Sequence, residues 1–274
     1  MTQDIREILF QPIRAKRFFA RLTTEREGVI AGSASAAQKF SEIGIVPDFL
    51  VQDGEFVQSG DSIARFQGTP LQISLAEEQV IGQMAKFSGI ATAARRAVLL
   101  SRGQCRIASG SLKKMPSEIR QEVRRAIVLG GASPRLLDMP FLYLDKNYVR
   151  IFGGIGRTLK AASLFTDRVL VIQLKGETGT IREETLEAVK GGAGVIMVDT
   201  GEFEDVETVI HTLNELELRS QKKVAFAEDL KINDIPRCLS LGVDLLCIGK
   251  EIVDAPLLDM KLDITRGNEK TSGS

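Results

Sequence analysis

Ile107-Ala-Ser-Gly-Ser-Leu-Lys-Lys-Met-Pro116 is followed, after a helical stretch, by Gly130-Gly-Ala-Ser-Pro-Arg135 and then by Phe141-Leu-Tyr-Leu-Asp-Lys-Asn-Tyr-Val149. The order reads as strand, basic loop, helix, glycine turn, strand, polar loop. Lys113, Lys114, Arg135, Lys146 and Asn147 fall where loops follow strands. Such a grouping suits an anionic substrate, because phosphates and carboxylates are held by charge-assisted hydrogen bonds.

The same rhythm runs on toward the C-terminus. Strand candidates recur at 106–109, 141–144, 169–174, 194–198, 223–227 and 244–248, with helices at 117–129, 149–165, 182–190, 204–219 and 232–240 between them. Each strand is a short, unbroken aliphatic run, as expected of a strand buried on both faces. Strands alternating with helices predict a parallel sheet, closed as a barrel or doubly wound, with fewer strands than the eight of a TIM barrel. Chemistry in such folds sits at the C-terminal strand ends. Those ends carry 110–114, 145–147, 175–180, Asp199 with Thr200, Glu228 with Asp229, and Gly249 with Lys250. A charged or polar group after every strand predicts a single active-site face.

Bulk composition narrows the class. The 274 residues are 43% hydrophobic and lack Trp, so the core must be mostly aliphatic. Lys plus Arg equals Asp plus Glu at 36 each, which argues against a general nucleic-acid binder. Cys105, Cys238 and Cys247 are scattered with no CxxC, which reads as reduced core thiols in the cytoplasm. The one histidine, His211, lies on a polar helix far in sequence from any motif and reads as a surface or packing residue. A Ser-His-Asp triad or a His-rich metal site is thereby disfavoured. No apolar run approaches the roughly 18 residues of a membrane span, so no membrane partner is expected.

The first part of the chain has a different texture. Short apolar runs between residues 47 and 70, separated by Asp53-Gly54 and Ser59-Gly60, are turn-and-strand chemistry and read as plain β-hairpins. A carrier-domain reading of 54–63 fails for want of a modifiable Lys. A long helix is expected at 74–101, with Ser74 and Glu77 as its capping box. Domain boundaries are expected at 1–105 (joined by 251–267), 106–250, and a frayed tail at 268–274.

The chain resembles the quinolinate phosphoribosyltransferases, the type II phosphoribosyltransferase family. Phe87-Ser-Gly-Ile-Ala-Thr92 is similar to the family's Leu-Ser-Gly-Ile-Ala-Thr helix, and residues 116–135 match its Pro-Gly-Leu-Arg to Gly-Gly-Gly-Val-Asn-His-Arg stretch without a gap. Residues 242–249 and 255–263 resemble its last barrel strand and its closing strand. The resemblance implies an α/β protein: an N-terminal α/β sandwich domain plus an open six-stranded parallel α/β barrel. It also implies a homodimer or dimer-based oligomer, Mg2+, and transfer of a phosphoribosyl group from 5-phosphoribosyl pyrophosphate to a ring nitrogen.

Mapped residue by residue, the resemblance implies catalytic roles for Lys113 and Asp199. Loop position adds expected substrate contacts from Lys114, Arg135, Lys146, Asn147, Gln173 and Lys250, and Mg2+ at Asp199 and Asp229. Departures are dense. Leu112 and Pro134 stand where the family has Arg and His, Asp145 where it has Lys, Gln173 where it has an acid, and Glu77-Glu78 where it has Glu-Arg. Quinolinate carries two carboxylates, and losing a charge-paired contact costs about 2–5 kcal/mol. The expected acceptor is therefore a nitrogen heterocycle related to quinolinate with fewer carboxylates. A non-catalytic paralogue is the alternative. Lys175, Gly176, Gly179 and Thr180 form a Gly-rich turn feeding a helix N-terminus, which reads as a phosphate cradle or as a polar loop capped by Thr180. Arg135 reads either as a ligand cation or as the partner of Asp138, and Asp145 with Lys146 either as ligand groups or as a self-neutralising pair.

Overall fold

The structure, a computed structural model, describes residues 4–265. The tail expected at 268–274 lies outside the described residues. Two compact units divide the chain, one of residues 1–95, 117–131 and 254–274, the other of 96–116 and 132–253.

In the first unit, strands β1 (Phe18–Thr24), β3 (Phe49–Leu50), β5 (Ser62–Gly68) and β12 (Met260–Thr265) form an antiparallel sheet in the order β12-β1-β5-β3. β2 (Gly28–Val29) pairs with β4 (Phe56–Val57). The segments between 47 and 70 are thus strands, but their partners lie mostly elsewhere in the chain rather than in adjacent hairpins. Helices α1 (Ile5–Leu9), α2 (Ser33–Glu42), α4 (Arg120–Leu129) and α3 (Pro70–Ser101) as far as Arg95 also belong to this unit. One sheet face is apolar: Ala20, Leu22, Ala64 and Phe66 join Phe40 of α2 and Val80 and Met84 of α3 in one core. The Phe40 and Phe66 rings pack at 4.9 Å between centroids.

Two helices of this unit depart from the sequence reading. α3 begins at Pro70, not at Ser74. Thr69 and Gln72 form the reciprocal cap, with Thr69 N–H donating to Gln72 Oε1 at 3.0 Å and Gln72 N–H to Thr69 Oγ1 at 3.4 Å. Pro70 takes the first helical position, where its missing N–H costs nothing. The second difference is that α4 belongs to the first unit. Gly130 at its C-terminus lies so close to α3 that a β-carbon there would meet the Ala91 carbonyl oxygen at 2.3 Å. Small residues at 88–94 allow that approach, and Ser88 and Thr92 also accept hydrogen bonds from Ala31 N–H and Val29 N–H at 3.0 and 2.9 Å.

The second unit is a curled parallel sheet of β6 (Arg106–Ala108), β7 (Phe141–Leu144), β8 (Val169–Leu174), β9 (Val195–Val198), β10 (Lys223–Phe226) and β11 (Leu245–Cys247). Its order is β6-β11-β10-β9-β8-β7, so the first and last strands in sequence are neighbours. β6 and β7 have no ladder between them, which makes an open half-barrel; a bridge from Ala108 to Ser133 lies at that edge. Alternate residues face inward. Val171, Val195, Met197, Ala225, Ala227 and Leu245 form the interior cluster with Leu136 and Leu137.

The connecting helices are α5 (Lys146–Phe152), α6 (Ile155–Ala162), α7 (Ile181–Lys190), α8 (Phe203–Glu215), α9 (Ile235–Ser240) and α10 (Lys250–Val253). The single helix expected at 149–165 is split, because Gly153 (φ +74°) and Gly154 (φ +138°) turn the chain through backbone space closed to most L-residues. No helix among the described residues is long and apolar enough to cross a membrane.

Candidate active site

The inward parity of β9 decides the site. Val195 and Met197 face the barrel interior, so Asp199, the next residue in that register, stands at the C-terminal mouth. There a cavity of about 620 Å³ opens, within the range of small-molecule sites. Its floor is apolar and aromatic: Ala108, Phe141, Tyr143, Met197 and Cys247. Around the rim stand the cations Lys113, Lys114, Arg135 and Lys250 and the acids Asp199, Glu228 and Asp229.

Asp199 is the most constrained of these groups, with a side chain only 14% exposed. Gln173, buried on β8, donates its side-chain amide to Asp199 Oδ2. The Lys175 ammonium lies 3.3 Å from the same oxygen and 3.5 Å from Glu228 Oε2, and also donates to the Asp199 main-chain carbonyl. Burial pushes the Asp199 carboxyl above the ordinary aspartate range; Lys175 pulls it back and Glu228 adds to the push.

Glu228 and Asp229 both have positive φ, +79° and +49°. For residues with side chains such backbone costs on the order of 1–3 kcal/mol and is typical of functional loops. Asp229 is held below the usual carboxylate range by its ion pair with Lys231 (2.9 Å), with Lys250 contributing more weakly.

On the basic side, Lys113 and Lys114 are exposed on the 3-10 turn Ser111–Lys114. The Arg135 guanidinium lies 5.8 Å from the Phe141 ring centroid. Asp138, its candidate partner by sequence, is taken instead by Arg106, with contacts of 2.5 and 2.6 Å.

The structure therefore gathers Lys113, Lys114, Arg135, Asp199, Asp229 and Lys250 around one cavity. Lys146, Asn147 and Gln173 do not line it. Asp145 is the N-cap of α5, accepting from Asn147 N–H at 2.9 Å, and neither neutralises Lys146 nor faces the cavity. The Lys146 N–H donates to Gln173 Oε1 at 2.6 Å, so Gln173 couples α5 to Asp199.

The phosphate cradle expected at Lys175, Gly176, Gly179 and Thr180 is already filled. The carboxylate of Glu184, 3% exposed, accepts from Lys175 N–H (3.1 Å), Gly176 N–H (2.9 Å), Thr178 N–H (2.8 Å) and Thr178 Oγ1 (2.9 Å). Thr180 forms a capping box with Glu183, as the polar-loop reading expects. Arg150 closes the loop from outside through a two-pronged pair with Glu177.

Mg2+ also fits poorly. Mg2+ needs near-octahedral oxygen ligands. Asp199 is committed to Lys175 and Gln173, Asp229 to Lys231, and no group of three or more His, Cys, Asp or Glu among the described residues is placed to hold a metal.

Tyr143 and Cys247 are site residues the sequence reading passed over, while Glu228, noted there as a strand-end acid, lines the cavity as well. Their signal was the period of two: 141, 143 on β7 and 247 on β11 share the inward parity of 197 on β9. Cys247 is thus a cavity-wall thiol, whereas Cys105 and Cys238 are buried core thiols. Burial pushes the Cys247 thiol up to about 12, with the Asp199 charge adding to it, and raises the Tyr143 phenol well above its ordinary value. Cys105 and Cys238 are raised by burial to about 11 and about 12. All three thiols are thus protonated at pH 8. Native protein should alkylate with iodoacetamide roughly a thousandfold more slowly at Cys247 than an ordinary thiol does, since only the thiolate reacts. In urea all three should react freely, as quantified by mass spectrometry. His211 lies on the surface, 3.1 Å from Glu215.

Models of the quinolinate phosphoribosyl transferase N-terminal domain and C-terminal domain match residues 6–88 and 90–263. The chain belongs to the quinolinate phosphoribosyltransferase family. Among its relatives in that family is a probable nicotinate-nucleotide pyrophosphorylase [carboxylating] of Archaeoglobus fulgidus, 25% identical over 92% of this chain and 96% of the relative. The human nicotinate-nucleotide pyrophosphorylase [carboxylating] is 23% identical over 89% and 82%. The solved nicotinate-nucleotide pyrophosphorylase of Pyrococcus furiosus superposes with a TM-score of 0.77 at 21% identity, covering 96% of this chain and 74% of that one. That of Francisella tularensis gives 0.75 at 20%, covering 95% and 94%. These likenesses agree with the family's two-part fold of a sheet domain and a half-barrel.

Proposed function

We propose that the chain transfers the phosphoribosyl group of 5-phosphoribosyl pyrophosphate to the ring nitrogen of a heterocycle carrying fewer carboxylates than quinolinate, and that it acts as a homodimer. One observation carries this reading: the cavity has four cations and three acids on its rim, over an apolar, aromatic floor that carries no charge. Two carboxylates seated on that floor would meet Phe141, Tyr143, Met197 and Cys247, with no fixed cation among them, and buried carboxylates need paired donors. A flat ring with little charge instead packs against Phe141 and Tyr143.

Lys113, Lys114, Arg135 and Lys250 are then the groups for the phosphates and pyrophosphate. Asp199 faces the ribose hydroxyls. In the transfer, the ring-nitrogen lone pair forms the new bond to C1 while the bond from C1 to the pyrophosphate oxygen breaks, and the leaving pyrophosphate keeps that electron pair. Positive charge developing on the ribose ring is met by Asp199, held by Gln173 and Lys175 before the reaction begins, with Glu228 beside it.

Calorimetric titration with 5-phosphoribosyl pyrophosphate, followed by a panel of pyridine and azole acceptors, tests the proposal. Micromolar binding of the donor and turnover with a mono- or uncarboxylated ring are expected. Quinolinate turning over faster than every such ring would overturn the acceptor assignment. No donor binding across millimolar concentrations would make the chain a non-catalytic member of its family.

A further inference from the structure

We propose that Lys175 is the resident cation of this site, a tethered ammonium standing between Asp199 and Glu228 where a protein-held divalent ion would have to sit. Its ammonium donates to the Asp199 main-chain carbonyl and lies 3.3 Å from Asp199 Oδ2 and 3.5 Å from Glu228 Oε2. The side chain is 20% exposed, so this charge is largely withdrawn from water and its carboxylate partners are what compensate it.

The backbone holds it there. Lys175 N–H is bound by the buried Glu184, and the same carboxylate ties down Gly176 and Thr178. The loop that carries the side chain is therefore fixed, and the ammonium itself is held by Asp199 and Glu228. A dication bridging Asp199 and Glu228 would share both carboxylates with the ammonium and repel it at close range. Gln173 also donates to that Asp199 oxygen.

The consequence is chemical. The positive charge beside Asp199 is constant, is not removed by chelators, and does not leave with product. Any Mg2+ that enters the cavity comes chelated by the substrate's own phosphates. The inference holds whether or not the chain transfers a phosphoribosyl group, because its readout is ion binding and not turnover.

The test uses the full chain, without nucleotide or pyrophosphate, titrated with Mn2+. Free ion is followed by electron paramagnetic resonance and the protein by thermal melting. Wild type should leave Mn2+ free and show no shift in Tm. Lys175→Met leaves Asp199 and Glu228 without their counter-charge, and should take up Mn2+ with a Tm that rises with ion concentration. Lys175→Arg should remain silent. The proposal is overturned if wild type binds Mn2+ and Asp199→Asn abolishes that binding, a comparison that stands even if Lys175→Met does not fold. A folded Lys175→Met chain indifferent to Mn2+ overturns it as well.

Discussion

Asp199→Asn should lower turnover by about 10²–10³-fold while leaving the affinity for pyrophosphate within a few-fold of wild type. The substitution keeps the size of the side chain and one oxygen to receive Gln173 and Lys175, so the fold is preserved. It removes the negative charge that faces the ribose ring as positive charge builds there. An interaction made mainly in the transition state shows as a fall in kcat, with KM for the donor little changed. Lys113→Ala and Arg135→Ala should behave oppositely: both raise the donor's KM and dissociation constant, and Arg135, stacked by Phe141, is the costlier loss. Kinetics with the acceptor chosen by the panel, read beside calorimetry of pyrophosphate, separates the two patterns. If Asp199→Asn turns over at the wild-type rate, Asp199 has no part in the chemistry.

The second large effect concerns stability. Glu184→Ala should destabilise the chain by roughly 3–6 kcal/mol, because hydrogen bonds to a charged group are each worth about 1.5–3 kcal/mol and unpaired buried donors add a desolvation cost. Three backbone amides and one hydroxyl converge on this carboxylate, and no water reaches it freely. Glu184→Gln keeps one accepting oxygen and should cost about half as much. Urea midpoints measure the loss. Amide hydrogen exchange at Lys175, Gly176 and Thr178 should accelerate selectively, which places the damage in the loop. An unchanged midpoint in Glu184→Ala would mean that the loop is held by the Arg150–Glu177 pair alone.

Much of the barrel was legible because its signal is local. The strands at 141–144 and 169–174 are short, mostly apolar runs, and the structure reproduces both bounds. A strand buried on both faces needs nothing but such a run between turn residues. Helix limits were less legible where two signals competed. Ser74 with Glu77 and Thr69 with Gln72 are both capping boxes on paper, and Pro70 at the first helical position settles between them. Likewise Gly153-Gly154 sits inside an otherwise helical pattern, and only its positive φ values show that it divides α5 from α6.

The candidate site was half legible. Asp199 stood out as a charged group directly after a buried strand and Lys113 as one on the loop that follows another, while Arg135 stood out through the resemblance of residues 116–135. Glu184 was invisible, because its role is to fold back onto a loop eight residues earlier, and no spacing rule marks a carboxylate that caps its own approach loop. Lys175 appeared to be a phosphate ligand because sequence records its charge but not its partners.

What the sequence by itself determined is the class of fold, the face that carries the chemistry, and the stock of charges available there, since hydrophobic period and strand-end position are properties of the chain read in order. What only the tertiary structure decided is which of those charges are free. Pairing depends on distances of a few ångströms between residues far apart in sequence, and at such distances Lys175 is committed to Asp199 and Glu228, Arg106 to Asp138, and the loop amides to Glu184.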